Sequence, residues 1–140
     1  MAYLLDTNIL SELIKPHPEL KVIQWLDQQI QSTLFTSAIT VSEMLYGVER
    51  LPQGKRKVLF QEQIQAMFKY DFADRILPFS HSTAVYYARV INERKQQGLN
   101  AHHADAQIAS IALEYDLTLV TRNTKDFDNI TGLILFNPFE

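Results

Sequence analysis

Three carboxylates stand alone in otherwise uncharged stretches of the chain: Asp6 within residues 1 to 11, Glu43 within 34 to 48 and Asp105 within 96 to 113. Surface acids normally come mixed with other charges, so acids isolated among apolar and small residues suit a pocket. Ionised carboxylates gathered in one pocket raise each other's pKa unless a cation neutralises them. A bound metal ion is therefore the chemistry to expect. The available donors are oxygens, and with no cysteine in the chain the set favours a hard ion. Mg²⁺ takes one or two carboxylates, retains waters and binds substrate phosphate, and Mn²⁺ would substitute. Zinc fits less well. The adjacent His102 and His103 would point about 100° apart on a helix, and no H-E-x-x-H spacing accompanies them.

Each acid also has a purely structural alternative. Asp6 ends a short apolar run and could cap the helix that follows. Glu43 lies three residues after Thr40, the spacing of a capping box in which the glutamate folds back onto the cap amide. Asp105 could complement a helix N-terminal dipole. These alternatives weaken together, because all three acids share the same isolation. Gly47 and Ala109 follow Glu43 and Asp105 at i+4, so no bulky neighbour screens either carboxylate. A fourth position could come from the run Thr121-Arg122-Asn123-Thr124-Lys125-Asp126-Phe127. Asn123 and Asp126 are its candidates, with ordinary turn chemistry as the alternative. Thr7 and Asn8 could hold the acids in place by hydrogen bonds, or simply begin a helix.

What must position these groups is an alternation of strands and helices. The apolar run of residues 2 to 5, then Ile9, Leu10, Leu13 and Ile14 at helical spacing, predicts strand, turn and helix, stopped by Pro16 and Pro18. Leu20, Ile23, Leu26 and Ile30 mark a second amphipathic helix with Lys21, Gln24 and Gln28 outward, which leaves Trp25 unplaced. Residues 33 to 36 have strand composition, and Ser37 can cap a helix carrying Val41, Leu45 and Val48 on one face to about Arg50. After Pro52 and Gly54 a helical stretch with apolar Val58, Leu59, Ile64, Met67 and Phe68 runs to roughly Tyr70, completing a helical hairpin. Ile76 to Phe79 predicts a third strand, with Ser80 capping a helix through Val85, Ala88 and Ile91 to near Gly98. Ala104 to Tyr115 marks another helix, Leu117 to Thr121 a buried strand and Leu133 to Phe136 a last short one. The order favours an α/β fold, a three-layer α/β/α sandwich with a mainly parallel central sheet. Strand ends and helix starts share one edge of such a sheet, where ligands bind, so the three acids are expected to meet there.

At 140 residues with 46% hydrophobic content, the chain suits a single domain, residues 1–140, with a real core. No repeat, low-complexity stretch or Gly/Ser-rich linker divides it. A formal charge of −3 and a pI near 5.8 exclude a global polycation, so nucleic-acid binding would rest on local basic side chains and metal. The N-terminus lacks a basic n-region, and Tyr3 to Leu5 is too short for a signal peptide or a membrane span. The expectation is a cytoplasmic protein with no membrane partner.

At these residues the chain resembles the PIN-domain nucleases, and within them the VapC-like toxins of bacterial toxin-antitoxin pairs, including the FitB-type branch. Leu4-Leu5-Asp6-Thr7-Asn8-Ile9-Leu10-Ser11-Glu12 is similar to the family's first motif, and Ser37 through Glu43 to Gly47 to its second. Ala104-Asp105-Ala106-Gln107-Ile108-Ala109 resembles the third, and Leu119 through Arg122-Asn123 to Asp126-Phe127 the last. The match spans nearly the whole chain, with the motifs in order. Many relatives carry an acid where Asn123 stands, so either Asn123 or Asp126 would complete the site, or three acids suffice. His102-His103 is not a usual preface to the third motif.

The resemblance implies a Mg²⁺-dependent endoribonuclease that hydrolyses RNA phosphodiester bonds, with Mn²⁺ able to substitute. Asp6, Glu43 and Asp105 would hold the metal. It further implies a homodimer, and an antitoxin whose C-terminal segment covers the toxin and blocks its site. An acidic pocket repels RNA, so basic side chains should flank it: Arg122 and Lys125 beside the pocket, and Arg50, Lys55, Arg56 and Lys57 on the helical hairpin. One rival is a PIN-like module that binds RNA or protein without cutting. Another is a receiver-type signalling domain, which would need an acid pair after the first strand and a lysine after a late one.

Overall fold

The computed structural model of the chain describes residues 1–100 and 102–140. Its strands are β1 (Tyr3–Leu5), β2 (Leu34–Ser37), β3 (Ile76–Leu77), β4 (Thr118–Val120) and β5 (Leu135–Phe136). Its helices are α1 (Thr7–Leu13), α2 (Leu20–Asp27), α3 (Ala38–Glu49), α4 (Lys55–Ala66), α5 (Thr83–Gln96) and α6 (His103–Glu114). The sheet order is β3-β2-β1-β4-β5, and every neighbouring pair runs parallel. The strands expected over 76–79, 117–121 and 133–136 are shorter than their apolar runs.

Side-chain alternation assigns the two faces of the sheet. Leu4 and Leu119, in register, enter a core with Val90 of α5 and Ala106, Ile108, Ile111 and Ala112 of α6. Leu5 and Val120, also in register, turn the other way to meet Ile9, Leu10, Val22, Met44, Val48 and Ile64 from α1 to α4. Apolar strands covered on both faces are what an all-parallel sheet requires. The three-layer sandwich read from the sequence is therefore the observed architecture. No helix among the described residues is long and apolar enough to cross a membrane.

Local chemistry sets the helix starts. Asp6, in extended backbone, caps α1 by accepting the Thr7 N–H at 2.7 Å. Ser37 caps α3 by accepting the Thr40 N–H at 3.1 Å. This corrects the Thr40–Glu43 capping box: Thr40 is buried inside α3, so Glu43 has no cap amide to fold onto. Ser80 does not cap α5 either, since the helix begins after Ser82 and the Ser80 N–H donates to Thr83 Oγ1 at 3.0 Å. The buried face of α3 is Thr40, Met44 and Val48, and Leu45 points outward. α2 ends at Asp27, before Ile30, and its face is also displaced, because Val22 is buried while Leu20 is exposed. Trp25 packs between Tyr3 and Phe136, with ring centroids 5.0 Å from each. Beyond α4 the chain continues through a wider π-type turn, Met67–Asp71, that seats Met67 and Phe72 in the core.

β1 has β2 on one side and β4 on the other, so the chain winds away from it in both directions. An open α/β sheet binds ligands in the crevice beyond its strand ends at such a switch point. Asp6 follows β1 there, and Thr121 follows β4.

Candidate active site

A cleft of about 360 Å³ opens at the switch point, and Asp6, Glu43 and Asp105 all line it. They arrive from the cap of α1, the second turn of α3 and the first turn of α6. Asp6 is 6% exposed. One of its oxygens takes the Thr7 N–H, and the other takes the Thr121 hydroxyl at 2.8 Å and Asn8 Nδ2 at 3.4 Å. Asp6 is thus both a helix cap and a wall of the cleft. Burial pushes its carboxyl above the ordinary value, the Thr121 and Thr7 hydrogen bonds oppose that, and the charges of Glu43 and Asp126 add to it. Asp105 is pushed up to about 6, first by burial and then by the charges of Asp6 and Asp126, with a smaller push from Glu43 and an opposing pull from His102. The acids therefore feel one another across the cleft, and a cation among them would relieve that repulsion.

Glu43, left free by the Ser37 cap, accepts the Thr7 hydroxyl at 2.6 Å. That hydroxyl also lies 3.1 Å from the Thr40 hydroxyl. Asn8 ties α1 to the segment after β4: its Nδ2 donates to Thr121 Oγ1 at 3.3 Å and its Oδ1 accepts the Arg122 N–H at 3.2 Å. Thr7 and Asn8 thus do more than begin a helix, since each is bonded to an acid of the cleft.

The two candidates for a fourth position part company. Asn123 lines the cleft, and its N–H donates to Thr121 Oγ1 at 3.1 Å. Asp126 lines a small neighbouring cavity with His102, Arg94 and Asp105. Arg122 lines the cleft, with its guanidinium 4.5 Å from the Phe139 ring centroid. Lys125 and Arg50 lie outside the lining, and Arg50 packs over Tyr46. His103 Nδ1 is 2.7 Å from the Tyr87 hydroxyl, so the two histidines serve different neighbours.

Ser11, Glu12 and Lys15 of the cleft lining, and Thr121, whose hydroxyl donates to Asp6, are not singled out by the sequence pattern. Thr121 lies at the end of a strand-like run, an ordinary place for threonine. Glu12 and Lys15 are different. Their signal was present: Glu12 falls among the apolar Ile9, Leu10 and Leu13, and Lys15 follows it at i+3.

Among the described residues no three acidic or histidine side chains converge tightly enough to enclose a bare ion. The lining nonetheless offers carboxylate oxygens from separate elements around one cleft. Oxygen is the donor type that Mg²⁺ takes, and Mg²⁺ needs only one or two carboxylates because it keeps several waters.

The sequence profile of the family described as PIN domain matches residues 3–133. The chain is 38% identical over 136 residues to VapC ribonuclease Y4jK of Sinorhizobium fredii, covering 97% of this chain and 96% of the relative. It is 39% identical over 136 residues to Toxin FitB of Neisseria gonorrhoeae, covering 97% of each. The solved structure of FitAcB from Neisseria gonorrhoeae superposes with a TM-score of 0.89 at 38% identity, covering 99% of both chains.

Proposed function

The chain belongs to the PIN-domain family, and from that premise we propose that it is a VapC/FitB-type toxin that hydrolyses RNA with Mg²⁺ held in the acid cleft. One observation carries the reading: Asp6, Glu43 and Asp105, from three distant segments, line a single cleft at the sheet's switch point. Family membership sets aside a receiver-type domain, and directly after β1 stands a single acid, Asp6, followed by Thr7, and not an acid pair.

When bound, Mg²⁺ lowers the pKa of a coordinated water and stabilises charge building on the phosphate. Asp6, Glu43 and Asp105 would hold it, directly or through its retained waters. Thr121 and Thr7 keep Asp6 and Glu43 oriented by the hydrogen bonds described above. Asp105, the partly exposed acid, orients the attacking water, and Asn123 completes the rim. Water adds to phosphorus as the bond to the 3′ oxygen breaks, leaving a 5′-phosphate and a 3′-hydroxyl. Purified protein is expected to cleave RNA with Mg²⁺ or Mn²⁺, to stop in excess EDTA and to resume when Mg²⁺ is restored. Equal activity in excess EDTA would overturn the metal-dependent reading. An absence of cutting with either metal would leave the non-cleaving module.

A toxin carried by a living cell needs a partner that restrains it, and an antitoxin is the partner proposed. An apolar groove of about 900 Å³, lined by Ile14, Leu26, Leu59, Phe60 and Tyr70, meets the acid cleft at Lys15, which lines both. A peptide segment seated in the groove would reach across the cleft and exclude RNA. Leu59 is 55% exposed, and burying such a side chain contributes about 1.5–3 kcal/mol. Leu59→Asp is therefore expected to weaken antitoxin binding by at least about tenfold while free-enzyme cleavage persists. Unchanged affinity would remove the groove from the interface. The exposed Leu45, Tyr46 and Val85 supply apolar surface for a second copy of the chain, and the homodimer is part of the same proposal. Light scattering on these preparations reads the mass, and a monomer at every concentration would remove the dimer.

A further inference from the structure

Glu12 is a buried carboxylate that the proposed mechanism does not use. It is 5% exposed, lies on α1 and lines the acid cleft. One of its oxygens accepts from Lys15 Nζ and the other from the Glu19 backbone N–H, both at 2.9 Å. These bonds, that of Lys15 first, hold its carboxyl below the ordinary range, and the Arg122 charge adds to the effect. A further acid in a cleft that must receive a polyanion is a liability. One oxygen of Glu12 ties the start of α2 to α1 through the Glu19 amide, and the other places the Lys15 ammonium.

Lys15 and Arg122 are the basic side chains in the cleft's lining, and the charges of both reach Glu12. The Lys15 ammonium uses one of its three N–H donors on Glu12 and keeps two for a ligand. Its side chain is 55% exposed although its partner is only 7% exposed, so the ammonium is tied to a buried carboxylate while the lysine side chain stays open to solvent. Arg122 is steadied over Phe139. Two fixed cations beside an acidic floor have the character of a backbone grip, because phosphate contacts set the register in which a nucleic-acid strand lies.

We propose that Lys15, held at the rim by Glu12, grips an RNA backbone phosphate next to the scissile one, with Arg122 on a second phosphate. The inference deepens the ribonuclease reading and rests on it. Lys15, rather than Lys125 or Arg50, is then the basic partner of Arg122.

The test measures binding of a short mixed-sequence single-stranded RNA across a range of salt concentrations, in an Asp105→Asn background so that the RNA stays uncut. Lys15→Gln is expected to weaken binding about three- to tenfold and to lower the slope of log affinity against log salt by about 0.7, one phosphate contact on a single strand. Lys15→Arg is expected to retain both. Should Lys15→Gln melt early because Glu12 has lost its cation, the double change Glu12→Gln with Lys15→Gln removes both charges and is expected to lose the same slope. Unchanged affinity and slope in a folded variant overturn the proposal, and so does a loss confined to antitoxin binding. If the parent binds no RNA at all, the ribonuclease reading itself has failed and this inference falls with it.

Discussion

Asp105→Asn is expected to abolish RNA cleavage and, at the same time, to make the metal-free protein harder to melt. Groups that only support a metal's ligands typically contribute 10–100-fold to affinity or activity, so loss of a ligand oxygen should cost at least about a hundredfold. The stability effect has the opposite sign, because the Asp105 carboxyl sits at about 6 instead of 3.8. A carboxyl raised in the folded state contributes stability that is fully present below about pH 3.8 and is lost as the pH rises through 6. At neutral pH the metal-free fold therefore carries a charge that it disfavours, and asparagine removes it. The unscreened shift would correspond to about 3 kcal/mol. Asp105 is partly exposed, and solvent screening reduces this to on the order of 1 kcal/mol, or about 2–4 °C in melting temperature. In EDTA the native protein should melt higher at pH 5 than at pH 7, and Asp105→Asn should lose most of that difference. Asp6→Asn should abolish cleavage equally while the helix persists, since asparagine caps as well as aspartate. Full activity in either variant would remove the acids from the chemistry.

The features legible in the sequence were those written along one dimension. Isolation of Asp6, Glu43 and Asp105 from other charges is a linear pattern, and so is the strand and helix alternation that brings them to one sheet edge. What was not legible depended on which segments become neighbours. Thr121 matters because β4 lies beside β1, which sets its hydroxyl 2.8 Å from Asp6 across 115 residues of chain. Nothing in a threonine at the end of an apolar run announces that. The capping box at Thr40 failed for a related reason: Ser37 and Thr40 are both capable caps, and β2 ends at Ser37, so the helix starts before Thr40 is reached. Trp25, off the apolar face of α2, is accounted for by Tyr3 on β1 and Phe136 on β5. Glu12 and Lys15 were visible as an i,i+3 pair, yet their place in the cleft depended on where α1 would lie.

Phe127→Ala is expected to cause the largest loss of stability of any change considered, and the reason links the core to the cleft. The Phe127 ring is 1% exposed and is the bulkiest fully buried side chain. It enters the core formed by Leu4, Leu119 and the inner faces of α5 and α6. Truncating such a ring removes its transfer energy and leaves a cavity, at a cost of about 3–5 kcal/mol. Domains of this size have about 5–15 kcal/mol in total, so the variant should sit close to its unfolding threshold. Urea titration should show the midpoint falling with little change in slope, and Phe127→Leu should recover most of the loss. A cost below about 1 kcal/mol would mean that the ring is not a core element. Arg94, buried on α5, anchors the same turn by donating to the Asp126 carbonyl at 3.0 Å and to the Asp128 carbonyl. The turn that follows Asn123 and carries Asp126 is thus fixed to the core by a ring and to α5 by a guanidinium. Well below its melting point Phe127→Ala should still lose cleavage, because Asn123 at the rim is then freer to move. Added Mg²⁺ should return part of the lost stability, as any ligand of the native state does, and the same concentration should do nothing for a protein that also carries Asp105→Asn.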